Sequence, residues 1–223
     1  MTLTLASLRS SIRLILGDPS AARYSNDSID DAIRRALTDI SRIIPNLTSG
    51  SLTLSSPGRD IDLSLWEGSG EGLPIHAIVS IRFPHDESAD PESTYHDAFY
   101  FYTSSGSPFL YIQGSRIPQS GDKISFEYIT THTIQNLDSA AQTTLPEHLA
   151  YLLTTGAAAY AAIFRSSQIS EYQGSRASDM NQLYQWGNQL MTNFRGMLAD
   201  LKTTPIAQNR LPGLWRLDQW DAD

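Results

Sequence analysis

The apolar positions of this chain follow two periods in turn. Leu5, Leu8, Ile12, Ile15 and Leu16 fall on one face of a helix, which predicts a first helix over 3–16. Gly17 stands where a left-handed C-terminal cap is wanted, and Asp18-Pro19 blocks further helix. A second helix is predicted over 27–44, with Ile29, Ile33, Leu37, Ile40 and Ile44 as its stripe. Ser25 or Asn26 can accept the free N–H groups of its first turn. Asp27, Asp30 and Asp31 lie at the positive end of its dipole, and Pro45 ends it.

From Ser51 the period shortens to two. Ile61, Leu63 and Leu65 alternate with Asp60, Asp62 and Ser64, the pattern of a strand with one wet face. Further strands are predicted over 75–83, 98–103, 108–113 and 123–130. Ser104-Ser105-Gly106-Ser107 offers a hairpin loop between the second and third of these. About five or six antiparallel strands make a small sheet or half-open barrel.

The helical period then returns. Thr144 and Glu147 are spaced as a capping box, with Pro146 early enough to remove no internal hydrogen bond, and a helix is predicted over 146–164. Gly156, Ala157, Ala158, Ala159, Ala161 and Ala162 give it a thin waist that admits another helix, of this chain or of a second copy. A fourth helix is predicted over 177–202. Its Leu183, Trp186, Leu190, Phe194, Met197 and Leu201 form a coiled-coil-like seam for bundle or subunit packing. The predicted bundle core includes Ile33, Leu37, Leu149, Leu153, Leu190 and Met197. The remainder, 203–223, has no period but concentrates Leu211, Leu214, Trp215, Leu217 and Trp220. These residues either fold back on the chain or anchor in a partner's groove, as tryptophans at binding hot spots do.

The pattern predicts an α+β fold: a four-helix-bundle-like domain over 1–47 and 144–202, a β-rich insertion over 48–143, and an extended C-terminal tail over 203–223. The 223 residues, 40% hydrophobic and 18% charged, suit a globular chain of one or two domains. No apolar run approaches the ~20 residues that cross a bilayer, so no membrane partner is expected. Arg9 and Arg13 interrupt the first apolar stretch rather than precede it, unlike a secretory signal. The absence of cysteine excludes disulfides and thiolate zinc sites. A net charge of −8 with no basic block argues against gripping DNA by its phosphates.

Candidate chemistry is thin. His85-Asp86-Glu87 and His96-Asp97 contain metal-ligand types, but lack the paired helical spacing of a zincin or a facial triad. Gly68, Gly70 and Gly72 lack the spacing and the lysine of a phosphate cradle. No nucleophile elbow occurs. Asp60 and Asp62 share a strand face and could act as paired carboxylates, although alternating acids more often form the wet side of a sheet. No catalytic centre, cofactor or metal is expected.

Two stretches carry a resemblance. Leu8-Arg9-x-x-Ile12-Arg13-x-x-Leu16-Gly17-Asp18, followed by Tyr24-Ser25-Asn26-Asp27-x-Ile29-x-x-Ala32-Ile33-x-x-Ala36-Leu37, is similar to the start of bacteriophage head-to-tail adaptor proteins. Leu145-Pro146-Glu147-His148 and Gly156-Ala157-Ala158-Ala159 resemble the start of their second helical pair. The resemblance implies a non-enzymatic virion protein of the neck, made in the host cytoplasm. It implies a ring, commonly of twelve copies, whose C-terminal segments reach the portal protein. The opposite face then receives tail or nozzle proteins, and DNA passes through the centre without specific binding. Acidic copies lining a channel would let DNA slide. A tail-terminator or other neck protein, and more remotely a carboxylate-based cell-wall or glycan hydrolase, are the alternatives.

Overall fold

The computed structural model describes residues 3–66, 75–84, 98–171 and 177–203. They fall into a helical unit within Met1–Asn46 and Thr131–Gln208, and a β unit within Leu47–Thr130. The helices are α1 (Leu5–Ile15), α2 (Asn26–Ile43), α3 (Ala150–Glu171) and α4 (Ala177–Lys202). The strands are β1 (Asn46–Thr53), β2 (Asp60–Asp62), β3 (Ala77–Arg82), β4 (Phe99–Ser104), β5 (Ser107–Ile112) and β6 (Lys123–Thr130). The fold class is α+β, as the change of period predicts.

Local chemistry fixes the helix ends. Thr4 and Ser7 form a capping box at the start of α1. Its end is a Schellman turn: Gly17 N–H donates to the Leu14 carbonyl, Asp18 N–H donates to that of Arg13, and Gly17 has φ +64. Ser25 caps α2 by accepting from Ser28 N–H. The predicted box at Thr144 is not formed. The Thr144 hydroxyl accepts from Thr133 N–H and meets His132 Nδ1, while a 3-10 turn, Glu147–Leu149, leads into α3 without a side-chain cap. α3 also runs past its predicted end at residue 164. No glycine or proline stops it there, and the Ser166 and Ser167 hydroxyls bond back to carbonyls of their own helix.

In the helical unit α3 packs against α1, α2 and α4. Ala157, Ala158, Ala159, Ala161 and Ala162 are all buried, so α3 has little wet surface there and no strong amphipathic stripe. The predicted core residues Ile33, Leu37, Leu149 and Leu153 are buried, whereas Leu190 and Met197 are only half-buried. The stretch Thr131–Leu145, assigned largely to the β insertion from sequence, lies with the helices and contributes Ile134, Leu137 and Leu145 to their core. His132 anchors it. Its buried ring meets the Ile44 carbonyl through Nε2 at 3.0 Å, and its backbone N–H donates to Ser41 Oγ. A carbonyl only accepts, so Nε2 carries the proton and Nδ1 faces the Thr144 hydroxyl as acceptor.

The β unit is not a closed barrel. Its described strands make two small antiparallel sheets, ordered β1-β6-β3 and β2-β5-β4. Their inner faces share one core, with Ile81, Phe126 and Ile124 from the first and Leu110 and Ile112 from the second. Trp66 meets Phe126 and Tyr128 edge-on at 5.0 and 5.1 Å. Its ring lies over Gly50 of β1, where a Cβ would clash with the indole, so only glycine fits. The run from Asp60 to Leu65 is a strand only as far as Asp62. That residue accepts from Ser64 N–H and turns the chain into a 3-10 helix, Leu63–Leu65. The β4–β5 hairpin turns at Ser105 and Gly106, with φ +52 and +85, the positive pair a two-residue primed turn requires.

Candidate functional site

α4 lies along the thin waist of α3 within one chain. Gly156 has no Cβ because the Phe194 ring occupies that space, 2.6 Å from where one would stand. Gly187 makes the reciprocal concession, against Ile163 and Ala162. The predicted seam is therefore displaced. Met191, Phe194 and Leu198 are buried, with Gly187 one turn earlier, while Leu183, Trp186, Leu190, Met197 and Leu201 pack half-buried at the margins. One margin lines a groove of about 490 Å³ with Ile15, Tyr151, Leu190, Met197 and Asp200. Tyr151 there is 70% exposed, and Leu14 and Tyr184 also present apolar surface on the helices.

Ion pairs and hydrogen bonds hold the helices that carry these surfaces. Arg9 of α1 grips Asp30 of α2 through two nitrogens, at 2.8 and 2.5 Å. Such bidentate geometry resists rotation of one helix against the other. Arg34 bridges Asp31 and Asp138, tying α2 to the Thr131–Leu145 stretch. Tyr160 of α3 donates to Asp39 of α2 at 2.5 Å. Burial, and then that bond, push its phenol up to about 12.

Asp18 organises the α1–α2 connection. Its buried carboxylate accepts from the N–H groups of Ala22, Arg23 and Tyr24, each at 2.9 Å. Burial pushes the carboxyl up, but the three donors and nearby Arg13 outweigh it and hold it below the usual carboxylate range. A depressed folded value gives stability that is present above the ordinary aspartate value of about 4 and is lost as pH falls through the folded value. Asp18→Asn cannot accept from all three N–H groups, because its amide NH2 is itself a donor. Its urea midpoint should fall well below the parent's at pH 7, and the gap should narrow at pH 3. A gap independent of pH would show that the charge contributes nothing. Neither Asp18 nor the Arg9–Asp30 pair stands out as a site from sequence, because a periodicity argument passes over polar residues. The signal available was an aspartate directly after the capping glycine.

The remaining candidates are placed as follows. Asp60 and Asp62 lie on one face of β2, opposite Tyr111 and Phe109 of β5. The stretches holding His85, His96 and Gly68 to Gly72, and the tail residues Leu211, Leu214, Trp215, Leu217 and Trp220, lie outside the described residues. Among the described residues, no three His, Asp or Glu side chains stand together as a cation site. No described helix is long and apolar enough to cross a membrane.

These units present surfaces and cross-braced helices, the features of a protein that works by contact. The chain belongs to the SU10 adaptor protein family, whose model matches residues 3–206. Membership bears out the resemblance read from the helical motifs. It gives the chain a structural role in the bacteriophage head-to-tail adaptor class, which is not a class of enzymes. No curated protein matches the chain. Among solved structures it is similar to a chain in the neck of an empty GTA particle computed with C6 symmetry. That match has 16% identity and a TM-score of 0.31, over 79% of this chain and 82% of the other. A chain in the neck of a native GTA particle, computed with C12 symmetry, matches at 16% identity and a TM-score of 0.30, over 79% and 81%.

Proposed function

We propose that copies of this chain form a ring, commonly of twelve, in the virion neck. The ring joins the portal protein above to tail or nozzle proteins below, and DNA passes through its centre without specific binding. The observation that carries this reading is the adaptor family match over residues 3–206. The charge of −8 per copy supports it physically, because an acidic channel wall repels the DNA backbone and leaves it free to slide. The half-buried margin of α4, with Leu183, Trp186, Leu190 and Met197, is the surface assigned to subunit packing, around the buried Phe194. The tail residues Leu211, Leu214, Trp215, Leu217 and Trp220 are assigned to the portal.

Infection by phage lacking this protein tests the reading. DNA-filled heads and separate tails that never join are the expected products. Complete particles would exclude the adaptor role, and headless tails of abnormal length would favour a tail terminator.

A further inference from the structure

The outer face of the β2-β5-β4 sheet has a composition that the adaptor reading does not use. Two cross-strand rows lie on it, away from the core. Asp60, Tyr111 and Tyr100 make one; Asp62, Phe109 and Tyr102 make the other. Alternate positions, Ile61, Leu110, Phe99 and Phe101, turn inward to the core of the β unit. The aromatic rings pair across the strands, Tyr102 on Phe109 at 5.5 Å and Tyr100 by Tyr111 at 6.2 Å. Tyr100 remains 61% exposed and Tyr102 39%.

Among the described residues, the charge on this face has one sign. The Tyr102 hydroxyl donates to Asp60 Oδ1 at 2.8 Å, and Ser64 occupies Asp62 Oδ1. No described hydrogen bond or ion pair uses the Oδ2 atom of either carboxylate. Elsewhere the chain satisfies its aromatic faces with its own arginines: Arg35 over Phe164, Arg116 over Phe83 and Arg165 over Tyr24. Among the described residues no cation covers any of the four rings here.

We propose that this face docks an arginine-bearing segment of a neighbouring protein, its guanidinium groups stacking on Tyr100 and Tyr102 and pairing with Asp60 and Asp62. A guanidinium is planar, weakly hydrated and able to do both at once, which a lysine ammonium does less well.

The test uses the full chain and amidated tetra-arginine peptide, titrated by calorimetry, so it does not depend on the ring. Asp60→Asn and Tyr100→Ser should each weaken binding fivefold or more. Asp27→Asn, which removes the same charge from an exposed position of the helical unit, should change it less than twofold, and tetra-lysine should bind more weakly than tetra-arginine. Equal losses in Asp60→Asn and Asp27→Asn would reduce the effect to net charge and overturn the proposal. Unchanged binding in a folded Tyr100→Ser variant would overturn it as well, as would tighter binding of chitohexaose than of the peptide. None of these results would bear on the adaptor role, which the phage experiment decides separately.

Discussion

Replacing Phe194 with alanine should destabilise the helical unit by about 3–5 kcal/mol, the range for deleting a buried aromatic ring. The ring is fully buried and fills the space left by Gly156. The cavity would lie between two helices already in close contact, where backbone movement cannot readily fill it. Ordinary domains are stable by about 5–15 kcal/mol, so this one change removes a large share of the total. Gly156→Ala approaches the same contact from the other side and should cost about 1–3 kcal/mol by overpacking. The two are coupled. In Phe194→Leu the smaller side chain leaves room, so adding Gly156→Ala should cost less there than in the parent. Urea unfolding followed by circular dichroism measures the parent and these four variants. Strict additivity would mean that the glycine is not there for the ring.

Removal of the residues after Asn209 should leave a folded, soluble protein that no longer joins filled heads. Ordering a tail costs roughly 1–2 kcal/mol of backbone entropy per residue, so few side chains must supply the burial. Trp215 and Trp220 are the largest available, at ~25 cal/mol per Å² of apolar surface. Leu211, Leu214 and Leu217 are spaced by three and can line one side of a turn, while Pro212 and Gly213 discourage a long helix. Repetition around a ring adds avidity, so each tail can bind weakly while the assembly holds. Unfolding of the truncated chain would instead place the tail in its own core. Assembly of the truncated chain on heads would move the portal contact elsewhere in the protein.

The sequence exposes elements wherever a period runs unbroken. α2, α4 and β6 are legible almost to the residue, because their stripes are continuous and their ends carry Ser25, Pro45 or a turn. β1 is missed until Ser51, because three of its four inward positions, Asn46, Thr48 and Gly50, are not hydrophobic. One of these is a glycine for the sake of Trp66, a requirement set by a residue sixteen positions away. The α4 seam is displaced for a similar reason. A search for large apolar side chains skips Gly187, although its lack of a side chain is what brings that face of α4 against Ile163. The Thr131–Leu145 stretch has no period. It is held by hydrogen bonds among His132, Thr133 and Thr144, which hydropathy does not register. Of the candidate site, the class of protein was legible in the joint order of two degenerate helical motifs. The aromatic face was not, since it exists only when β2, β5 and β4 come into register.

The most direct measurement is a reconstruction of the neck of the intact particle at side-chain resolution. The account predicts a ring of this chain immediately beneath the portal, with Trp215 and Trp220 of each copy seated in portal grooves and an acidic wall facing the DNA. A particle in which the chain is absent from the neck, or lies at the far end of the tail, would contradict it.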